Sequence, residues 1–90
     1  MAKVMIMAQC EDPKKWETEF KKHGELFKAY TSPTVTYGLD GDWACVCFEP
    51  TDLDACMKMV NSPDTQTAMA QDGIKGETVK IFVLDKDIAV

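Results

Sequence analysis

The sequence predicts an α+β domain in which strands and helices follow the order β-α-β-β-α-β. Three short segments are apolar at almost every position, and two longer segments repeat apolar residues every three or four positions. The first pattern is typical of strands with both faces buried, and the second is typical of helices with one buried side. An Asp-Gly pair between two of the apolar segments indicates a β-hairpin.

The first predicted strand covers residues 4–8, and a helix start signal follows it. Asp12 can accept hydrogen bonds from the free amides of a first helical turn, and Pro13 suits the first helical position. The helix should end before Pro33, because a residue that precedes proline is disfavoured in helical geometry. Spacings of four, three, four and three place one stripe of residues on the buried side of this helix. The stripe consists of Trp16, Phe20, His23, Phe27 and Tyr30.

The middle of the chain predicts a hairpin of two strands, at residues 35–39 and 43–48. We expect a tight turn at Asp40 and Gly41, because Asp-Gly is favoured in two-residue hairpin loops. Pro50 then ends the second strand of the hairpin.

The remaining elements are a second helical segment and a last strand. Thr51, with Asp54 three residues later, resembles a capping box that starts the helix. Ser62-Pro63 provides a new helix start, and Gly73 is expected to end the helical region in the left-handed conformation. Residues 78–84 form the last predicted strand.

The predicted order β-α-β-β-α-β consists of two β-α-β units. Two such units make a ferredoxin-like sandwich, a four-stranded and mostly antiparallel sheet with both helices on one face. A chain of 90 residues supports one core, so residues 1–90 are predicted to form a single domain.

The helices cover only one face of this sheet, although the strands are apolar on both faces. Each large apolar side chain contributes about 1.5–3 kcal/mol when it is buried, and soluble monomers rarely expose a patch of several such residues. We therefore predict a homodimer that closes sheet against sheet into a barrel, and assembly beyond a dimer stays open. Alternation along the strands assigns six residues to the uncovered face: Met5, Met7, Trp43, Cys45, Phe82 and Leu84.

Composition argues against several classes of partner. The formal net charge is −5, and Lys and Arg form no basic stripe, so neither nucleic acid nor a membrane surface is an expected partner. The first apolar run is too short for a signal-peptide core or a membrane-spanning helix. With four cysteines and no secretory signal, we expect free thiols and a cytoplasmic location.

Four segments, together with the predicted hairpin, resemble a known superfamily: residues 16–27, 48–54, 61–73 and 79–84. Over nearly the whole chain they are similar to small stand-alone members of the dimeric α+β barrel superfamily. That superfamily includes cofactor-independent monooxygenases of the antibiotic-biosynthesis type, polyketide cyclases, haem-degrading enzymes and proteins of no assigned activity. The resemblance implies the fold, the dimer and a ligand pocket between helices and sheet. No motif matches one catalytic subgroup.

His23, the single histidine, is the candidate catalytic residue. A buried neutral imidazole between Phe20 and Phe27 would suit a general base, because burial favours its uncharged form. The alternative is a histidine at the edge of the core that binds backbone carbonyls or water. The candidate ligand-binding residues are Trp16, Phe20, Phe27, Tyr30 and Tyr37, although ordinary packing also explains the two tyrosines.

The four cysteines suggest a weaker alternative, a thiol-based metal or redox site. Cys45 and Cys47 lie two apart within a predicted strand, whereas zinc ligands usually stand on loops. We therefore expect no metal and no cofactor.

The leading hypothesis is a homodimer that binds a small hydrophobic or aromatic molecule in a helix-to-sheet pocket. As an enzyme it would be a cofactor-independent monooxygenase, cyclase or isomerase that begins with proton abstraction by His23. The main alternative is a non-catalytic structural or interaction module in which side chains fill the pocket.

Overall fold

The computed structural model describes residues 3–22 and 34–90. The described strands are β1 (Lys3–Gln9), β2 (Thr36–Asp40), β3 (Trp43–Phe48) and β4 (Lys80–Leu84). The described helices are α1 (Pro13–Lys22), α2 (Leu53–Val60) and α3 (Pro63–Gln71), and a short 3₁₀ turn spans Gly76–Thr78. The sheet order is β2-β3-β1-β4, and every neighbouring pair is antiparallel. The predicted α+β class and ferredoxin-like arrangement are confirmed.

Helix α1 begins where the sequence predicts. One Asp12 carboxylate oxygen accepts hydrogen bonds from the backbone N–H groups of Lys14 and Lys15, at 3.1 and 3.4 Å. Pro13 is the first helical residue, where its missing N–H costs nothing. The predicted continuation of this helix, with His23, Phe27 and Tyr30, lies outside the described residues.

The hairpin forms, but its turn lies one residue later than predicted. Asp40 is the last residue of β2 and pairs with Trp43, so the two-residue loop is Gly41-Asp42. Gly41 has φ of +59° and takes the first loop position, as in a type II′ turn. Glycine adopts this φ without steric cost, and this explains why the loop is centred after Asp40.

The predicted capping box at Thr51 and Asp54 is wrong, because α2 begins one residue later. Its N-cap is Asp52, whose carboxylate accepts a hydrogen bond from the Ala55 N–H at 3.2 Å. Asp52 thus takes the N-cap role that the sequence assigned to Thr51, and it caps the Ala55 amide.

The second helix start and the helix end agree with the prediction. Ser62 caps α3 by accepting a hydrogen bond from the Thr65 N–H at 3.3 Å, and Pro63 follows it as the first helical residue. Gly73 has φ of +82° directly after the helix. The last strand, however, begins at Lys80 rather than at residue 78, because Thr78 belongs to the 3₁₀ turn.

The two faces of the sheet differ as the alternation predicts. On the helix-facing side, β1 and β3 bury a row of side chains against Trp16, Cys56 and Val60 of the helices. This row consists of Val4, Ile6, Ala8, Ala44, Val46 and Phe48. No described helix packs on the other side, which we call the open face. Its apolar members are Met5, Met7, Trp43, Cys45, Cys47, Phe82 and Leu84.

Candidate functional site

A cavity of about 580 Å³ lies between the helix-facing side of the sheet and the helices. The sheet forms its floor with Ile6, Ala8, Ala44, Val46 and Phe48, and these residues are apolar because a strand buried under helices carries no polar side chain inward.

Aromatic side chains of α1 form one wall of the cavity. Trp16 is buried, and its ring stacks on Phe20 with centroids 5.1 Å apart and planes 13° apart. The four-residue spacing places both rings on one side of the helix. This wall offers flat, polarisable surface to a ligand ring.

Tyr37 of β2 supports this wall from the edge of the sheet. Its ring meets Trp16 edge-on at a centroid distance of 5.8 Å, and its hydroxyl donates a 2.6 Å hydrogen bond to Glu17. That hydrogen bond raises the pKa of the Tyr37 phenol, and desolvation and the negative charge of Glu17 raise it further. Tyr37 does not belong to the described lining of the cavity.

Another wall of the cavity comes from the junction of α2 and α3 and contains polar groups. The Ser62 and Thr65 hydroxyls both donate to the Met59 carbonyl, at 2.8 and 2.6 Å. Because their hydrogens are used in this way, the two hydroxyls offer lone pairs to the cavity. Asp64 and Lys58 also line this side, so a ligand would meet opposite charges near its polar end.

A buried carboxylate lies where α3 ends. Asp72 lines the cavity, and its backbone N–H caps the helix through the Ala68 and Met69 carbonyls. The pKa of the Cys10 thiol is raised mainly by burial. The negative charges of Asp42 and Asp72 raise it further.

The structure brings together two of the predicted site residues, Trp16 and Phe20, in the cavity wall. His23, Phe27 and Tyr30 lie outside the described residues, so their predicted roles stay predictions. Sequence reasoning missed the polar wall, which includes Ser62, Thr65 and Asp72. The sequence does show Ser62, as the N-cap of a helix, but it does not show that this cap lines a cavity.

The cysteines divide between the two sides of the sheet. Cys10 and Cys56 are buried on the helix side, and burial raises the pKa of the Cys56 thiol. Cys45 and Cys47 are partly buried on the open face. Within residues 3–22 and 34–90, no group of three or more His, Cys, Asp and Glu side chains is placed to hold a metal ion.

Solved structures share this architecture. An antibiotic biosynthesis monooxygenase superposes with a TM-score of 0.61 at 11% identity, and the match covers 98% of this chain and 100% of that one. SnoaB, a cofactor-independent oxygenase from Streptomyces nogalater, gives a TM-score of 0.59 at 17% identity, with 99% and 94% covered. A dimeric ferredoxin-like protein from an uncultured marine organism gives 0.56 at 8% identity, with 99% and 91% covered.

The chain has the ferredoxin-like fold of these proteins. The superfamily resemblance is thus confirmed at the level of the fold. At 8–17% identity, a shared fold does not indicate a shared activity. No family model matches the sequence, and no curated protein matches it. None of the helices in the described parts of this ferredoxin-like chain has the length and apolar character needed to span a bilayer.

Proposed function

We propose that the protein is a homodimer in which each subunit binds a small hydrophobic or aromatic molecule in the cavity between its helices and its sheet. The cavity is the observation that carries this proposal. Its volume of about 580 Å³ falls within the range of about 300–1,000 Å³ that is typical of ligand sites. A module whose pocket is filled by side chains would leave a much smaller space.

The distribution of polar groups supports an amphipathic aromatic ligand. The sheet floor and the Trp16–Phe20 wall favour an apolar ring, whereas the α2–α3 wall offers Ser62, Thr65 and charged side chains. Most of a bound ring would therefore lose contact with water, and its polar substituents would point to the α2–α3 junction.

The open face supports the dimer. Phe82 and Leu84 are 43% and 44% exposed on a single chain, and they lie beside Met5 and other apolar side chains of the sheet. Burying such a patch is favourable, and a second copy presents the same patch in a self-complementary contact. The dimeric ferredoxin-like protein with the same fold agrees with this assembly.

As an enzyme, the protein would abstract a proton from a carbon acid of the ligand. The residue proposed as the base is His23, which follows α1 directly in the sequence. In an oxygenation, a ligand CH₂ group becomes C=O: dioxygen gives one atom to the product, and its second atom leaves as water with the two hydrogens. SnoaB, with the same fold, is a cofactor-independent oxygenase.

Ligand binding can be measured through Trp16. The chain has two tryptophans, and Trp43 lies on the open face, so Trp43→Phe leaves Trp16 as the reporter of the cavity. We expect 4-nitro-1-naphthol to quench Trp16 fluorescence saturably. Ala68→Phe should weaken this binding because its ring enters the cavity, whereas Ala70→Phe, on an exposed position of the same helix, should not.

Catalysis needs a separate test. Anthrone, a tricyclic ketone with an acidic CH₂, should consume dioxygen in the presence of the protein, and His23→Ala should abolish this consumption. Saturable quenching without turnover would support a binding protein rather than an enzyme. Absence of quenching, or an equal loss of quenching in Ala68→Phe and Ala70→Phe, would refute the cavity as the ligand site.

A further inference from the structure

Four sulfur-bearing side chains lie side by side on the open face. Met5 of β1 is directly opposite Cys47 of β3, and Met7 is opposite Cys45. Directly opposed residues of antiparallel strands share a face, with Cβ atoms about 4.5–5.5 Å apart. All four side chains are partly buried. Two thiols and two thioethers therefore form one patch, which we call the sulfur cluster.

The spacing of the two thiols suits a single metal ion. Cys45 and Cys47 are two residues apart on β3, so their Cα atoms are separated by roughly 6.6 Å. Thiolates that share one ion at about 2.3 Å lie at most ~4.6 Å apart, a distance that the two side chains reach by leaning together.

The neighbours of the sulfur cluster leave room for an ion and supply a compensating charge. The row that contains Met7 and Cys45 continues to Gly38 on β2 and to Lys80 on β4. Gly38 has no side chain to cover the Cys45 sulfur, and a Cβ built there would meet nothing within 4 Å. Lys80 brings a positive charge to the same row.

We propose that the sulfur cluster binds one copper(I) ion per chain. Thiolate and thioether sulfurs are soft donors that select Cu(I), whereas zinc sites are built from thiolate, imidazole and carboxylate ligands. On binding, Cu⁺ displaces the protons of Cys45 and Cys47 to solvent and forms an anionic dithiolate complex. Met5 and Met7 complete the shell as neutral ligands, and Lys80 offsets the negative charge.

This site is independent of the proposed ligand, because the cavity lies on the other side of the sheet. In the proposed dimer the two sulfur clusters lie between the two sheets, and the stoichiometry remains one ion per chain.

The test is an anaerobic titration of the whole protein with tetrakis(acetonitrile)copper(I) against a chromophoric Cu(I) chelator. We expect one ion per chain by native mass spectrometry and a sulfur-only shell by X-ray absorption. The pair Cys45→Ser/Cys47→Ser should lose the ion. The pair Met5→Leu/Met7→Leu, which keeps shape and apolar character, should weaken binding by at least about tenfold.

The buried thiols provide the matched control. Cys10→Ala/Cys56→Ala removes the same number of cysteines and should keep full copper binding, with folding checked by far-UV circular dichroism. Copper binding that persists in Cys45→Ser/Cys47→Ser would overturn the proposal, because the ion would then be bound adventitiously by other groups. Nitrogen or oxygen in the metal shell would also overturn it, and so would displacement of the copper by equimolar zinc.

Discussion

The proposed dimer makes a quantitative prediction at Phe82, because this side chain is exposed on one chain and covered in the barrel. A fully buried Phe contributes about 1.5–3 kcal/mol, and 43% of Phe82 remains to be covered. A dimer contains two copies, so Phe82→Gln should remove about 1.3–2.6 kcal/mol of association free energy. This loss corresponds to a rise of about tenfold to a hundredfold in the dimer Kd.

Leu39 offers a matched control on the same sheet. It is 42% exposed, almost as much as Phe82, but it pairs with Ala44 and therefore lies on the helix-facing side. Leu39→Gln carries the same change of polarity on a side that the proposed contact does not use. The dimer Kd of this variant should equal that of the unaltered protein.

Sedimentation equilibrium over a range of protein concentrations measures the dimer Kd of both variants and of the unaltered protein. The expected mass of the unaltered protein is twice 10.1 kDa at micromolar concentration. A mass of one chain under these conditions would refute the dimer. Equal weakening by Phe82→Gln and Leu39→Gln would refute the open face as its contact surface.

Three further predictions concern the fold and the aromatic wall. Ser62→Ala should lower the free energy of unfolding in urea by about 1 kcal/mol, because it removes the N-cap of α3. Gly73→Ala should cost about 1–2 kcal/mol at φ +82°, whereas Gly76→Ala, which has no positive φ and open space at its Cβ, should be much milder. Glu17→Gln should lower the pKa of Tyr37 towards its ordinary value in a spectrophotometric titration, because it removes the carboxylate that stabilises the protonated phenol. In the unaltered protein this hydrogen bond is lost as the pH rises through the raised pKa, and an unchanged titration in the variant would contradict the assignment.

Local signals predicted most of the fold because they act within a few residues. Asp12 with Pro13, and Ser62 with Pro63, each start a helix through the side chain's own hydrogen bonds, so their role does not depend on the rest of the chain. The errors were shifts of one or two residues. At the start of α2 the shift arose because two neighbouring residues, Thr51 and Asp52, both suit an N-cap.

The candidate site was only half predictable. Trp16 and Phe20 follow from helical periodicity, which shows directly which side of α1 is buried. The polar wall depends instead on where the α2–α3 junction sits over the sheet. The Ser62 and Thr65 hydroxyls both donate to the Met59 carbonyl, and Ser62 Oγ accepts from the Thr65 N–H, so the sequence shows only a local role for the two residues. Their position on the cavity is a tertiary property.

The two proposed activities depend on one geometric feature, the parity of residues along the strands. Side chains alternate with a period of two, so Ile6 faces the cavity while Met5 and Met7 face outward. A slip of β3 by one residue against β1 would turn Cys45 and Cys47 towards the helices and would take Ala44, Val46 and Phe48 from the cavity floor to the open face. The two-residue loop after Asp40 sets the β2–β3 pairing. Ligand cavity and sulfur cluster thus share two strands, β1 and β3, without sharing a side chain.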